Sequence, residues 1–205
     1  MKYEFTGETK YWFNKTLRQI RAIKSFGDIQ KGEIGGWIES EKNLSQYNHS
    51  WVYKDAFVYD NAQVYENAHV FGEARVCGNA QVYGNALILD NALVCGNAHI
   101  HGDAWIFGNA LVCEKAEVFK CAKVFGNACV FGKAQVYDAK VYGDSRIYDC
   151  ARIHGNVDIL NHEHVNGYTE SYVVKSPRVS MEYIQESVKK SIKKRKKVQL
   201  KDSQR

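Results

Sequence analysis

From residue 52 to residue 159 a Val or Ile returns on a fixed beat, at every sixth position from 52 to 136 and then at 141, 147, 153 and 159. Two residues before most of them stands Ala, as in Ala68 with Val70 or Ala92 with Val94. Side chains alternate along a strand, so residues two apart share a face and both members of such a pair point inward. Between them run pairs such as Gly84-Asn85, Gly96-Asn97, Gly102-Asp103 and Gly108-Asn109, residue types that tolerate positive φ and suit a tight corner. A unit of six residues has no room for two helices and a turn. Each unit is therefore one short strand plus a corner, and the units stack as a parallel β-helix.

The cysteines suggest how many units close one coil. Cys77, Cys95 and Cys113 are eighteen residues apart and each follows the aliphatic position, so three units per coil would align them in one outward column at roughly the 4.8 Å strand spacing. Nineteen aliphatic positions on three faces predict about six coils and a prism about 30 Å tall. One unit is short: Val136 reaches Val141 after five residues, which predicts a kink or bulge.

The aliphatic-x-x-x-Ala-x pattern resembles that of the hexapeptide-repeat proteins, whose fold is the left-handed triangular β-helix. The fold class it implies is all-β, a left-handed parallel β-helix. The second position departs from the family pattern, because Tyr, Phe, Cys or His replaces the usual small or acidic residue. Outside the repeat, Leu17-Arg18-Gln19-Ile20, Gly35-Gly36-Trp37-Ile38 and Asn43-Leu44-Ser45-Gln46 resemble the N-terminal piece of a bacterial and prophage group of these proteins, commonly labelled acyltransferases or left without a function. The expected organisation is a β cap over 1–50, the β-helix over 51–160, a connecting loop or strand over 161–179 and an amphipathic basic helix and tail over 180–205. Short strands at Tyr3 to Phe5, Leu17 to Phe26 and Trp37-Ile38 would form the cap, since an open β-helix end exposes apolar side chains and unpaired strand groups. Met181, Ile184, Val188 and Ile192 fall at helical spacing behind Ser180 as N-cap.

Composition narrows the setting. The net charge of +5 is unevenly placed: from Ser187 onward nine cationic side chains face one acid, leaving −3 for everything before. A nearly neutral body does not read as a DNA-mimic surface of carboxylates. The lysines of the tail, Lys189, Lys190, Lys193, Lys194, Arg195, Lys196 and Lys197, could contact nucleic-acid phosphates. No secretory leader pattern and no apolar run of membrane-spanning length stands out, and six cysteines without zinc-ribbon spacing read as reduced thiols. The expectation is a cytoplasmic protein of a bacterium or an infected cell, without membrane contact.

The outward positions carry the candidate chemistry. Hexapeptide acyltransferases use a His as general base beside acyl-coenzyme A, so the resemblance implies His101 as the candidate base, with His99 behind it and acetyl-coenzyme A as cofactor. No other catalytic residue, cofactor or metal is expected; Asn161-His162-Glu163-His164 reads as a polar loop rather than a metal site. Leu87, Leu89, Leu93, Cys95, Trp105, Phe107, Leu111, Cys113 and Phe131 lie on two adjoining apolar faces, which predicts self-association as a trimer or dimer. Trp105, His101, Lys123 and Lys140 are the expected lining of a groove for a small anionic ligand. The leading expectation is a non-catalytic oligomeric binding or scaffold protein, phage-encoded and acting on a host protein or a nucleotide-like anion. Acyl transfer and nucleic-acid binding through the tail are the alternatives.

Overall fold

The computed structural model describes residues 1–160 and 162–167. Three strands open the chain: β1 (Tyr3–Trp12), β2 (Lys15–Ala22) and β3 (Ile34–Ile38), the first two and the last two paired antiparallel. Twenty strands of two or three residues follow, from Trp51–Val52 to His164–Val165. Each pairs in parallel with the strand three units away, so they sort into three walls. The first wall begins at Trp51–Val52 and has seven strands. The second begins at Phe57–Val58 and is extended by β1–β3 to ten, and the third begins at Gln63–Val64 and has six. Three units per coil is thus the observed register, and the described residues form an all-β parallel solenoid of about seven turns, one more than the hexad count predicts.

The extra turn comes from residues that lack the hexad pattern. Ile38 of β3 aligns in parallel with Val58, and Leu44 bridges Val64 in parallel. Asn43, fully buried, donates from Nδ2 to the carbonyls of Asp60 and Ala62 at 3.0 and 2.9 Å, closing the corner without the Gly-Asn pair. The β1–β2 hairpin and Tyr3, Ile20, Ala22, Ile29 and Trp51 pack over this end. The chain therefore covers its first coil with its own apolar side chains.

The core is one dry column. Every Val or Ile from 52 to 147 on the six-residue beat is fully buried, as is nearly every Ala two residues ahead of it. Each enclosed Val or Ile contributes about 1.5–3 kcal/mol, set against the entropy of ordering its coil. At the corners the Ala N–H returns to the carbonyl three residues back, as from Ala62 to Tyr59 at 3.3 Å. Positive φ falls on the first corner residue, Gly84 at 67° or Asp60 at 59°, the signature of a type II′ turn. Corner asparagines then bond coil to coil, for example Asn61 to Asn79 and Asn79 to Asn97 at 3.1 and 3.0 Å.

The short unit behaves differently from its expected bulge. Val136 stays opposite Val118 and Val141 opposite Val124 with no register shift. The missing residue is taken from the corner: Asp138 keeps its φ of 49°, and Ala139 follows it directly into the core. A corner residue faces solvent and can be lost while both flanking strands keep their partners, whereas a bulge would break the ladder.

Candidate functional site

The third wall carries a continuous stack of rings. Eighteen-residue register, seventeen across the short unit, places Tyr65, Tyr83, His101, Phe119, Tyr137 and His154 one above another. Successive ring centroids lie 4.9, 4.8, 5.2, 4.7 and 5.0 Å apart, and four of the five pairs lie within 8° of parallel. Rings so stacked spend both faces on each other and turn only their edges outward. Beside them runs the column of Gln63, Gln81, His99, Glu117, Gln135 and Arg152. His101 Nε2 lies 3.1 Å from Glu117 Oε1, and Gln135 donates to Glu117 Oε2 at 2.8 Å. The distal nitrogen of the candidate base is therefore engaged within the wall, and its remaining nitrogen is the one next to its own main chain. His99 aligns with Gln81 and Glu117.

The expected ligand lining divides between two walls. Trp105, Lys123 and Lys140 are successive partners in one column of the first wall, which ends on Asp158. Lys123 Nζ sits 4.4 Å over the Trp105 ring, and Lys140 Nζ is 3.5 Å from Asp158. Burial, and then the Lys140 charge, lower the Lys123 ammonium below its usual range. His101 stands on the third wall, because its position in the coil is one unit earlier than that of Trp105. The four residues do not form one site in a single chain.

The expected interface is likewise corrected in part. Leu89 and Phe107 retain only 1% and 5% exposure within the single chain. Both lie in one column of the first wall, following the paired Ile88 and Ile106, and Phe107 stacks on Phe125 at 4.7 Å, so neither offers surface to a second copy. Leu87, Trp105, Leu93, Leu111, Cys95, Cys113 and Phe131 are half-buried and remain on two adjoining walls. On the second wall Cys77, Cys95 and Cys113 form the predicted column, each thiol beside the next. The neighbouring Cys95 thiol lowers that of Cys77 to about 7 and lowers that of Cys113, while its two neighbours and burial raise that of Cys95.

Two features at the capped end carry no sequence signal of their own. Lys2, 1% exposed, donates from Nζ to the Ser50 carbonyl at 2.6 Å and to Ser50 Oγ at 3.0 Å, and burial lowers its ammonium to about 7. His69 is held at about 4 by burial and by the Lys2 charge, and its Nδ1 has no hydrogen-bond partner. Glu117, the partner of His101, was also missed, although residues sixteen apart in a coil of eighteen are necessarily near neighbours. The expected helix, the basic tail and Asn161 lie outside the described residues. His162 Nδ1 is 3.7 Å from Asp144, and His164 aligns with Arg146. Among the described residues no three His, Cys, Asp or Glu side chains converge on one point, and no helix is long and apolar enough to cross a membrane.

Three walls of two-residue strands, II′ corners and a Val/Ile/Ala core define a hexapeptide-repeat β-solenoid protein. Within this class, a family model described as the YdcK Beta solenoid repeat matches residues 80–96. The chain is also similar to the uncharacterized acetyltransferase YdcK of Escherichia coli K12, 48% identical over 40 residues. That match covers 20% of this chain and 12% of the relative's length.

Proposed function

We propose that this solenoid is a non-catalytic binding or scaffold protein that works as a homo-oligomer. The state of His101 carries the reading: both ring faces are stacked and its distal nitrogen is held by Glu117. A general base needs a nitrogen within reach of the acceptor's proton, and here the reachable one is already engaged. The absence of inserted loops through the hexads points the same way, since among the described residues nothing rises from the walls to enclose a substrate. The half-buried apolar side chains of the first and second walls suit contact with another copy. The Trp105, Lys123 and Lys140 column at that contact would offer cations to a small anionic or protein partner. In a prophage setting, such a partner would belong to the host.

A second reading, acetyl transfer, is favoured by the same contact seen otherwise. A carboxylate that orients an imidazole is the arrangement an activated base uses, and the Escherichia coli relative is named an acetyltransferase. The two readings separate in one assay: acetyl-coenzyme A and a broad acceptor mixture, with free thiol followed over time. The proposed function predicts no thiol release above the protein-free rate, for the native chain and for His101→Ala alike. Turnover by the native chain that disappears in His101→Ala overturns it.

A further inference from the structure

The second wall holds three thiols whose spacing is set by the backbone rather than by side-chain choice. Cys77, Cys95 and Cys113 each follow an aligned valine, Val76, Val94 and Val112, in adjacent parallel strands. Their own amides are locked into the ladder, Cys77 N–H to the Val94 carbonyl and Cys95 N–H to the Val112 carbonyl at 2.9 Å, Cys113 N–H to the Val130 carbonyl at 3.0 Å. The backbone repeat beneath neighbouring thiols is therefore the strand spacing, about 4.8 Å. A zinc–thiolate bond is about 2.3 Å, and the bonds of a two-coordinate metal are shorter, so a linear sulfur–metal–sulfur unit spans somewhat less than about 4.6 Å. That length fits each gap in the column with little movement. Strand spacing also lies within the Cα range of a disulfide, so the column takes a metal only in its reduced form, the free-thiol state of all three cysteines here.

We infer that this column binds a monovalent thiophilic cation, Cu(I), in linear two-coordinate fashion between neighbouring thiolates, with Cys95 the ligand common to both gaps. The straight column matters to the choice of ion. Zinc asks for four ligands in a tetrahedron, and among the described residues no three such side chains converge. Soft thiolates select Cu(I), which is satisfied by the two that a ladder can place on either side of it. The surroundings are those of a soft site: Leu93 and Leu111 line the column beside Cys95 and Cys113, and all three thiols are half-buried. Arg75, aligned between Phe57 and Leu93, stands two residues before Cys77 and can offset the single negative charge of the complex. Two thiols bind one Cu(I), release two protons and leave a bis-thiolate of charge −1, with no change of oxidation state.

The test uses the full-length, fully reduced protein titrated anaerobically with Cu(I) against a colorimetric Cu(I) chelator, followed by X-ray absorption at the copper edge. The expected result is a Cu(I) signal with two sulfur neighbours. Cys95→Ser should weaken binding by about 100-fold or more, beyond the loss typical of a disturbed supporting contact. Cys121→Ser and Cys150→Ser, which alter exposed thiols elsewhere, should leave it unchanged. Three or four ligands at the copper, or affinity that survives Cys95→Ser, overturns the assignment. So does an equal loss in the Cys121 and Cys150 variants. The absorption measurement on the native chain stands even if Cys95→Ser fails to fold.

Discussion

His69 is the side chain whose environment fits it least. It projects from the first wall between Trp51 and Leu87, near the Tyr53 and Phe71 rings. Burial, Lys2 and His49 push its imidazole toward the neutral form, with only Asp28 opposing them. Its folded value of about 4 lies below the ordinary 6.5, so the unfolded chain binds more protons between those pH values. Stability should therefore rise with pH across this window and fall as the solution is acidified, by about 3 kcal/mol at most from this group. In His69→Leu, which removes the unpartnered Nδ1, urea unfolding at pH 7 and at pH 4.5 should show a smaller difference than in the native protein. Equal differences in both would mean that the imidazole is not desolvated as described.

Corners decide how one coil sits on the next. Gly72 has a φ of +65°, and a Cβ there would come within 2.6 Å of the Asp90 carbonyl oxygen and 2.8 Å of its amide nitrogen. Gly72→Ala should thus cost about 2 kcal/mol or more, from left-handed backbone and steric overlap together. Glu66 shows how a side chain is tolerated at the equivalent corner position. Its carboxylate accepts the Gly84 N–H at 2.8 Å across the coil gap, an exposed bond that offsets its own positive φ of 55°. Glu66→Gly should consequently change stability by no more than about 1 kcal/mol, and thermal unfolding of the two variants side by side checks the contrast. The repeated elements were legible because inward Val and Ala, outward bulk and corner Gly-Asn recur with one period. The coil through Ile38 and Leu44 was not, because Asn43 and the lid replace the motif there by contacts between residues far apart in sequence.

For the molecule as a whole, a strict register converts a sequence period into columns, and columns into shared chemistry. The ring stack and the thiol column could be read from the spacing alone, since an outward residue must meet its counterpart one coil away. How much of each outward side chain its neighbours cover could not. Alternation says which way Leu89 and Phe107 point, yet both are buried within the chain, because cover depends on how neighbouring side chains pack and not on the period. The division of the expected anion-binding residues between walls was implicit in the period: His101 belongs to the unit of Ile100 and Trp105 to that of Ile106, and one unit is one wall. What remains on the outside of the described residues is a regular surface whose rings are paired, whose candidate base is tied, and whose Leu87, Leu93, Leu111 and Trp105 are only half-buried in the single chain. Association through those walls is the core of the functional reading. Native mass spectrometry of the freshly purified full-length protein tests it most directly. A dimer or trimer, with or without a retained anionic ligand, is the predicted result, and a bare monomer at micromolar concentration would contradict it.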